Sequence, residues 1–445
     1  AGWWSDSSRE SGVAAVRIFA DTTPLRRPDF RRLWVAGIPT VIGANLTIFA
    51  VPVQIYVLTR SSAYVGLSGL FALVPLVVFG LLGGAWADAM DRRKLLIIAS
   101  CGLAAASLLL WIQAAAELEN VWAVLVLLGV QQGFYAVNAP TRSAAIPRLV
   151  AGKDLPAANS LNMTVMQFGA IVGPLLAGLL LGWVDLSTLY LIDAATCIFP
   201  IWATLRLAPM PPVESTGPSR FGITAVLDGF RYLAGNTVVL MSFVVDLIAM
   251  ILGMPRALFP QIASADFGGP VEGGTTMALL DAAMSAGAVL GGVFSGWLPR
   301  IARQGLAVVA AIVVWGVAMI GFGVAVGHGG GHAGRALWVA LVFLAVGGAA
   351  DMVSAAFRST MLQQAASDEI RGRLQGVFTV IVAGGPRLAD AVHGAAGAVV
   401  GTAAASAGGG ALVVVGVVLA ALAAPAFLRY RRPGDVHRES PPSRR

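Results

Sequence analysis

The stretch Gly-Gly-Ala-Trp-Ala-Asp-Ala-Met-Asp-Arg-Arg-Lys, residues 83–94, sets two acids and three bases between two apolar runs. Other ionisable residues lie inside apolar runs: Asp193, Asp246, Asp281, Asp351, Arg387 and Asp390, with Arg256 near the end of one. In hydrocarbon such groups are costly, and they mark ion pairs, proton relays or substrate pathways. Asp390 follows Arg387 by three, so the two share a helix face and are expected to pair. Asp351 is expected to join the same arginine, which reads as the only one within a span. A carboxyl that carries a proton near neutral pH needs about 4 kcal/mol of bias toward its neutral form. Burial supplies such a bias and a nearby arginine opposes it. The combination suits a switch in which the acid is either paired or protonated, and Asp390 is the leading candidate. Asp351 and Asp246 are alternatives. Asp193 and Asp281 read as structural or boundary acids near one interface. Asn45, Thr47 and Gln54 offer neutral polar groups early in the chain, and Gln131, Gln132, Asn138 and Gln167 add more. With Trp, Phe and Met between them, they suit a bulky, partly aromatic substrate.

Catalytic chemistries find less support. Gly66-Leu67-Ser68-Gly69 and the distant His393 supply the parts of a serine–histidine dyad. Asp88 and Asp91 match half of a magnesium-diphosphate site, but no second acidic cluster completes it. No phosphate-binding loop of the G-x-x-x-x-G-K-[ST] type occurs. Cys101 and Cys197 sit in apolar runs, without disulfide or metal-ligand spacing. The expectation is a protein that is not an enzyme and holds neither cofactor nor metal.

The elements that must position these residues follow from composition. The chain has 445 residues, 57% hydrophobic and only 12% charged. A soluble protein carries about a quarter charged residues. Runs long enough to cross a bilayer, about 20 residues each, fall at 33–58, 64–86, 94–116, 121–141, 161–182, 186–206, 236–260, 275–298, 304–326, 336–357, 374–400 and 408–428. The fold class is therefore an all-α membrane protein of twelve transmembrane helices. The opening residues contain no apolar leader, so the first run reads as a span. Alternate loops collect 26 of the 30 lysines and arginines, which predicts that both termini are cytoplasmic. The net charge of +7 is then explained by topology and an anionic inner leaflet rather than by nucleic acid. The predicted organisation is a cytoplasmic segment 1–32, a six-helix bundle 33–206, a Pro-rich cytoplasmic loop 207–235, a second bundle 236–428 and a basic tail 429–445.

The two halves repeat. Residues 142–178 lie on 358–394 without gaps, matching Arg142-Ser143 to Arg358-Ser359 and Gly178 to Gly394. Gly83-Gly84 and Arg92 have a worn echo in Gly291-Gly292 and Arg300. Parallel repeats of this kind place substrate between the halves, near the bilayer midplane.

The pattern G-x-x-x-D-x-x-D-R-R-K from Gly84 to Lys94 resembles the signature loop of the major facilitator superfamily. Gly84 permits close helix approach. Asp88 can accept from a helix N-terminus and pair with Arg92, one turn on. Arg93 and Lys94, next to Asp91, hold the loop at the anionic face. The resemblance implies that this loop latches the halves together through the inner end of the eleventh helix, here residues 367–373. The fifth run contains G-x-x-x-G-P-x-x-x-G, with Gly169, Gly173, Pro174 and Gly178. It resembles a motif of exporters in this superfamily. Its glycines allow close packing, and Pro174 favours a kink. Residues 26–34, 51–69, 255–263 and 359–378 are similar to the branch that holds enterobactin (siderophore) exporters and proton-driven drug exporters. That similarity implies efflux of a small molecule against protons, with siderophore and multidrug export as the alternatives; the chain is expected to act as a monomer.

Overall fold

The computed structural model describes residues 21–211, 231, 235–365 and 368–430. The calls on 1–20, on most of the central loop and on the tail beyond 430 lie outside them, as do the side chains of Gly84, Asp88 and 363–380. The described residues are all-α. In chain order the long helices are α1 (Pro28–Thr59), α2 (Ser62–Ala89), α3 (Arg92–Ala115), α4 (Val121–Leu149), α5 (Leu155–Leu180) and α6 (Leu186–Leu205). They continue with α7 (Thr237–Gly253), α8 (Thr275–Val293), α9 (Gln304–Gly327), α10 (Arg335–Ala365), α11 (Asp368–Val400) and α12 (Thr402–Ala423). Among the described residues, eleven segments are long and apolar enough to cross a membrane. The twelfth helix, α11, has 33 residues and is amply long; its charged N-terminal end and its Arg387–Asp390 pair lower its hydropathy.

With twelve antiparallel crossings, residues 21 and 430 lie at one face of the bundle, called here the terminal face, and the opposite face is distal. In the first half, α1 packs on α5 and α6, α2 on α4, and α3 on α4 and α6. The same pairings recur six helices on: α7 with α11 and α12, α8 with α10, and α9 with α10 and α12. These are two pseudo-symmetric six-helix bundles. The repeat reaches single contacts. A β-carbon at Gly83 would lie 3.1 Å from Val137 Cα in α4, and one at Gly291 would lie 2.9 Å from Ala349 Cα in α10. Both glycines let a second helix of each half press against its fourth.

Two breaks depart from the uniform spans expected. The sixth span is interrupted at Cys197. Pro200 has no N–H to give the Thr196 carbonyl, which instead faces the Thr40 hydroxyl at 3.5 Å. The seventh span ends as α-helix at Gly253, before Pro255, and continues as a 3₁₀ turn (Arg256–Leu258) and a π-turn (Ile262–Asp266). The Gly253 carbonyl freed there accepts from the buried Trp315 indole of α9 at 3.0 Å. The break turns Arg256 off the helix line and toward the centre of the protein.

Candidate substrate site

A cavity of about 730 Å³, counting its open mouth, lies between the halves. From the first half, Thr47, Val51, Ser68, Leu128, Gln131 and Gln132 line it; from the second, Arg256, Met277, Asp281, Pro386, Arg387 and Asp390. The Arg256 guanidinium reaches Asp281 at 2.9 Å. Arg387 lies 3.9 Å from Asp390 on its own helix and donates across the interface to Gln132 Oε1 at 3.4 Å. Two arginines and two aspartates thus face one apolar-walled space, with no net charge if all are ionised. Asp281 is a partner within this cavity, which corrects its reading as a boundary acid.

Asp351 and Asp246 do not join Arg387. Both belong to a separate cluster around Arg358, which pairs with Asp246 directly and lies 3.8 Å from Asp351. Arg358 is 5% exposed and lies within α10 rather than in a loop, because that helix runs eight residues past the expected end of its span, to Ala365. Like Arg256, it lies within a candidate span, so Arg387 is not the only arginine there. Its repeat partner Arg142 is also inside a helix, where it donates to the Leu33 carbonyl of α1 at 3.1 Å. The same seam, fourth helix on first, is closed by a carbonyl in one half and a carboxylate in the other. The Arg-Ser repeat was the available signal that Arg358 is internal.

In the first half, Asp193 is 2% exposed and accepts from Thr47, Ser107 and Gln131 at 2.7, 2.7 and 3.4 Å. It sits in the bundle interior rather than at an interface. Gln54 also lies apart from the cavity, joined to Gln113 and to the Tyr190 hydroxyl at 2.8 Å. Asn45 returns its amide to the Val41 carbonyl and packs at the seam between α1 and α5. Asn138 donates to Ser100 at 3.1 Å. The dyad parts remain separate: Ser68 donates to its own Val65 carbonyl, while His393 is buried against Gly409 of α12.

The charged loop grips its own half. Asp91 caps α3 by accepting from Arg93 N at 2.8 Å, and it also accepts from Met210 N. Arg93 donates to the last carbonyls of α6, those of Thr204 and Leu205. A cation there offsets the negative end of the helix. Arg92 donates to the Ala144 carbonyl of α4 at 2.9 Å. The expected contacts of Asp88 and of residues 367–373 lie outside the described side chains.

The α5 motif divides its glycines between two tasks. Gly169 and Gly173 face Val41 and Asn45 of α1. Gly178 faces α8, where a β-carbon would lie 2.7 Å from the Gly274 carbonyl oxygen. The helix is continuous through Pro174. Around the axis between the halves, α2 meets α11 as α5 meets α8. There a Gly66 β-carbon would lie 2.8 Å from Gly394 Cα, and the Ser62 hydroxyl donates to the Gly394 carbonyl at 3.1 Å. These close approaches lie on the distal side of the cavity.

Comparison with known proteins agrees with this architecture. The transmembrane secretion effector family matches residues 19–430. The enterobactin exporter EntS of Shigella boydii serotype 18 (strain CDC 3083-94 / BS512) is 30% identical over 377 residues, 84% of this chain and 86% of that protein. EntS of Escherichia coli O139:H28 (strain E24377A / ETEC) is 29% identical over 383 residues, again 84% and 86% of the two chains. Among solved structures, the nucleoside transporter NupG superposes with a TM-score of 0.66 at 16% identity, covering 91% of this chain and all of that one. A bacterial homologue of the human lysosomal transporter Spinster, inward-facing and unoccupied, gives 0.67 at 14%, covering 91% and 99%. The chain belongs to the transmembrane secretion effector family of the major facilitator superfamily, and is a multi-pass membrane transporter.

Proposed function

We propose that this transporter exports a siderophore or a similarly bulky small molecule in exchange for protons, by alternating access. The observation that carries the reading is the cavity itself. It lies where the two repeats meet, it is walled by Leu128, Val51 and Met277, and it holds four ionisable groups in two pairs. Its mixed lining suits a molecule with anionic or strongly polar groups beside apolar ones, since a ligand carboxylate, phenolate or hydroxamate can compete with Asp281 or Asp390 for an arginine. The similarity to enterobactin exporters favours a siderophore among such molecules.

Asp390 is the proposed proton carrier. Neutralising it releases Arg387, whose guanidinium already reaches Gln132 of the other half. Protonation is thereby linked to how the halves sit on each other. The glycine contacts of α2 with α11 and of α5 with α8 close the distal side, and alternating access requires them to part. Asp88, Arg92 and their neighbours are the proposed latch for the opposite state. The terminal face is proposed to be cytoplasmic, because loop lysines and arginines favour it even with Arg142 and Arg358 set aside. A multidrug pump is the second reading, supported by the apolar walls. Accumulation of a catecholate siderophore and of cationic drugs in cells with and without this chain, each with and without an uncoupler, separates the two. Expression that lowers neither, or lowers one regardless of the uncoupler, contradicts proton-driven export.

A further inference from the structure

We propose that Asp193 is a proton-binding site in the first half, with its occupancy set from the cavity through Thr47 and Gln131. The inference rests on the cavity being the substrate site. Three helices supply donors to this one carboxylate: α1 through Thr47, α3 through Ser107 and α4 through Gln131. All three converge on Oδ2, and Oδ1 receives none of them. A proton can therefore be added on Oδ1 without breaking any of these hydrogen bonds. Gly43 of α1 makes the room, since a β-carbon there would lie 3.1 Å from Oδ1.

The groups around Asp193 are neutral. Among the described residues it forms no ion pair, α1 faces it with Gly43 and Thr47, α3 with Ser107 and α4 with Gln131, and its own span adds the Thr196 hydroxyl, which donates to the Asp193 carbonyl, and the Cys197 thiol. The charges of the cavity lie beyond Gln131. An anion here is stabilised by neutral donors alone, so burial and donor geometry decide between the charged and the protonated acid. Two of the donors, Thr47 and Gln131, line the cavity. A ligand that takes either donor weakens the carboxylate form. Gln132, next in the chain, receives Arg387, so the Asp390 pair and Asp193 meet at adjacent glutamines. Each half then holds an acid that senses the same space.

The test is infrared difference spectroscopy of the purified full-length protein in lipid, titrated with acid. A protonated-carboxyl carbonyl band that is lost in Asp193→Asn, and kept in Asp390→Asn, is the expected result. Ser107→Ala removes a donor outside the cavity. It should tighten proton binding by about tenfold, the loss of one hydrogen bond to a charged oxygen, and so move the titration of that band alone. A carboxyl spectrum unchanged by Asp193→Asn overturns the proposal, as does a Ser107→Ala titration identical to the parent. No substrate is needed, so the site is tested even if efflux proves not to be proton-driven.

Discussion

Replacing Gly66 by leucine tests the distal closure. At this position a β-carbon would lie 2.8 Å from Gly394 Cα and 3.3 Å from the Asp390 carbonyl carbon. Carbon atoms rest at about 3.5–4.0 Å. The helices must therefore separate by roughly 1 Å before the rest of the leucine is placed. Overpacking of this kind costs about 1–3 kcal/mol. The clash exists only while α2 and α11 touch at the distal side, so its whole cost acts on the balance between closed and open states. About 2 kcal/mol is close to a thirty-fold shift. A distal-open state populated at about 1% would rise to about a quarter. Spin labels on Glu117→Cys and His332→Cys, both exposed in distal loops, report that change as a second, longer distance. Gly80→Leu is the control, because nothing lies within 4 Å of a β-carbon there. An unchanged distance distribution in a folded Gly66→Leu protein would refute the assignment of this contact as the distal closure.

Other consequences can be checked separately. Among the described residues, Asp246→Asn leaves buried Arg358 with only the more distant Asp351 as an ionic partner, and should cost about 3 kcal/mol of stability, seen as a lower melting temperature in detergent; replacing Asp246 and Arg358 together by leucine and methionine should recover most of it. Asp88→Asn should reduce transport while the amount of protein in the membrane stays normal, and normal transport would leave the residue a mere neighbour of Arg92. A reporter that works only outside the cytoplasm should be inactive when fused to the C-terminus, and activity there would contradict the proposed topology.

Spans and repeat were legible because they rest on patterns that extend over many residues. Apolar runs of membrane length need no neighbour to be recognised, and Arg142-Ser143 against Arg358-Ser359 needs only the chain itself. Partner choice was less legible. Asp351 reads as a partner of Arg387, but α10 presents it to Arg358, an arginine one residue past the last apolar position of the expected span. A guanidinium at the end of an apolar run reads as a loop charge, although here Asp246 of α7 holds it inside. Asp193 looked like a boundary acid because its donors, Thr47, Ser107 and Gln131, come from three helices far apart in sequence. The run 236–260 reads as one uniform span, although Gly253 and Pro255 break its helix, and the turn of Arg256 into the cavity appears only once α8 brings Asp281 alongside.

Transport against a gradient tests the central claim most directly. Inside-out vesicles are prepared with a lumen one pH unit more acidic than the bath, and a labelled substrate identified in cells is added outside. One proton exchanged per substrate supports about 1.4 kcal/mol, or tenfold accumulation. The parent should accumulate substrate to that order and lose it with an uncoupler, while Asp390→Asn should exchange substrate without concentrating it. Full accumulation by Asp390→Asn, with loss instead in Asp351→Asn or Asp246→Asn, would move the proton to the Arg358 cluster. Accumulation by the parent that ignores the pH difference would contradict proton-driven export.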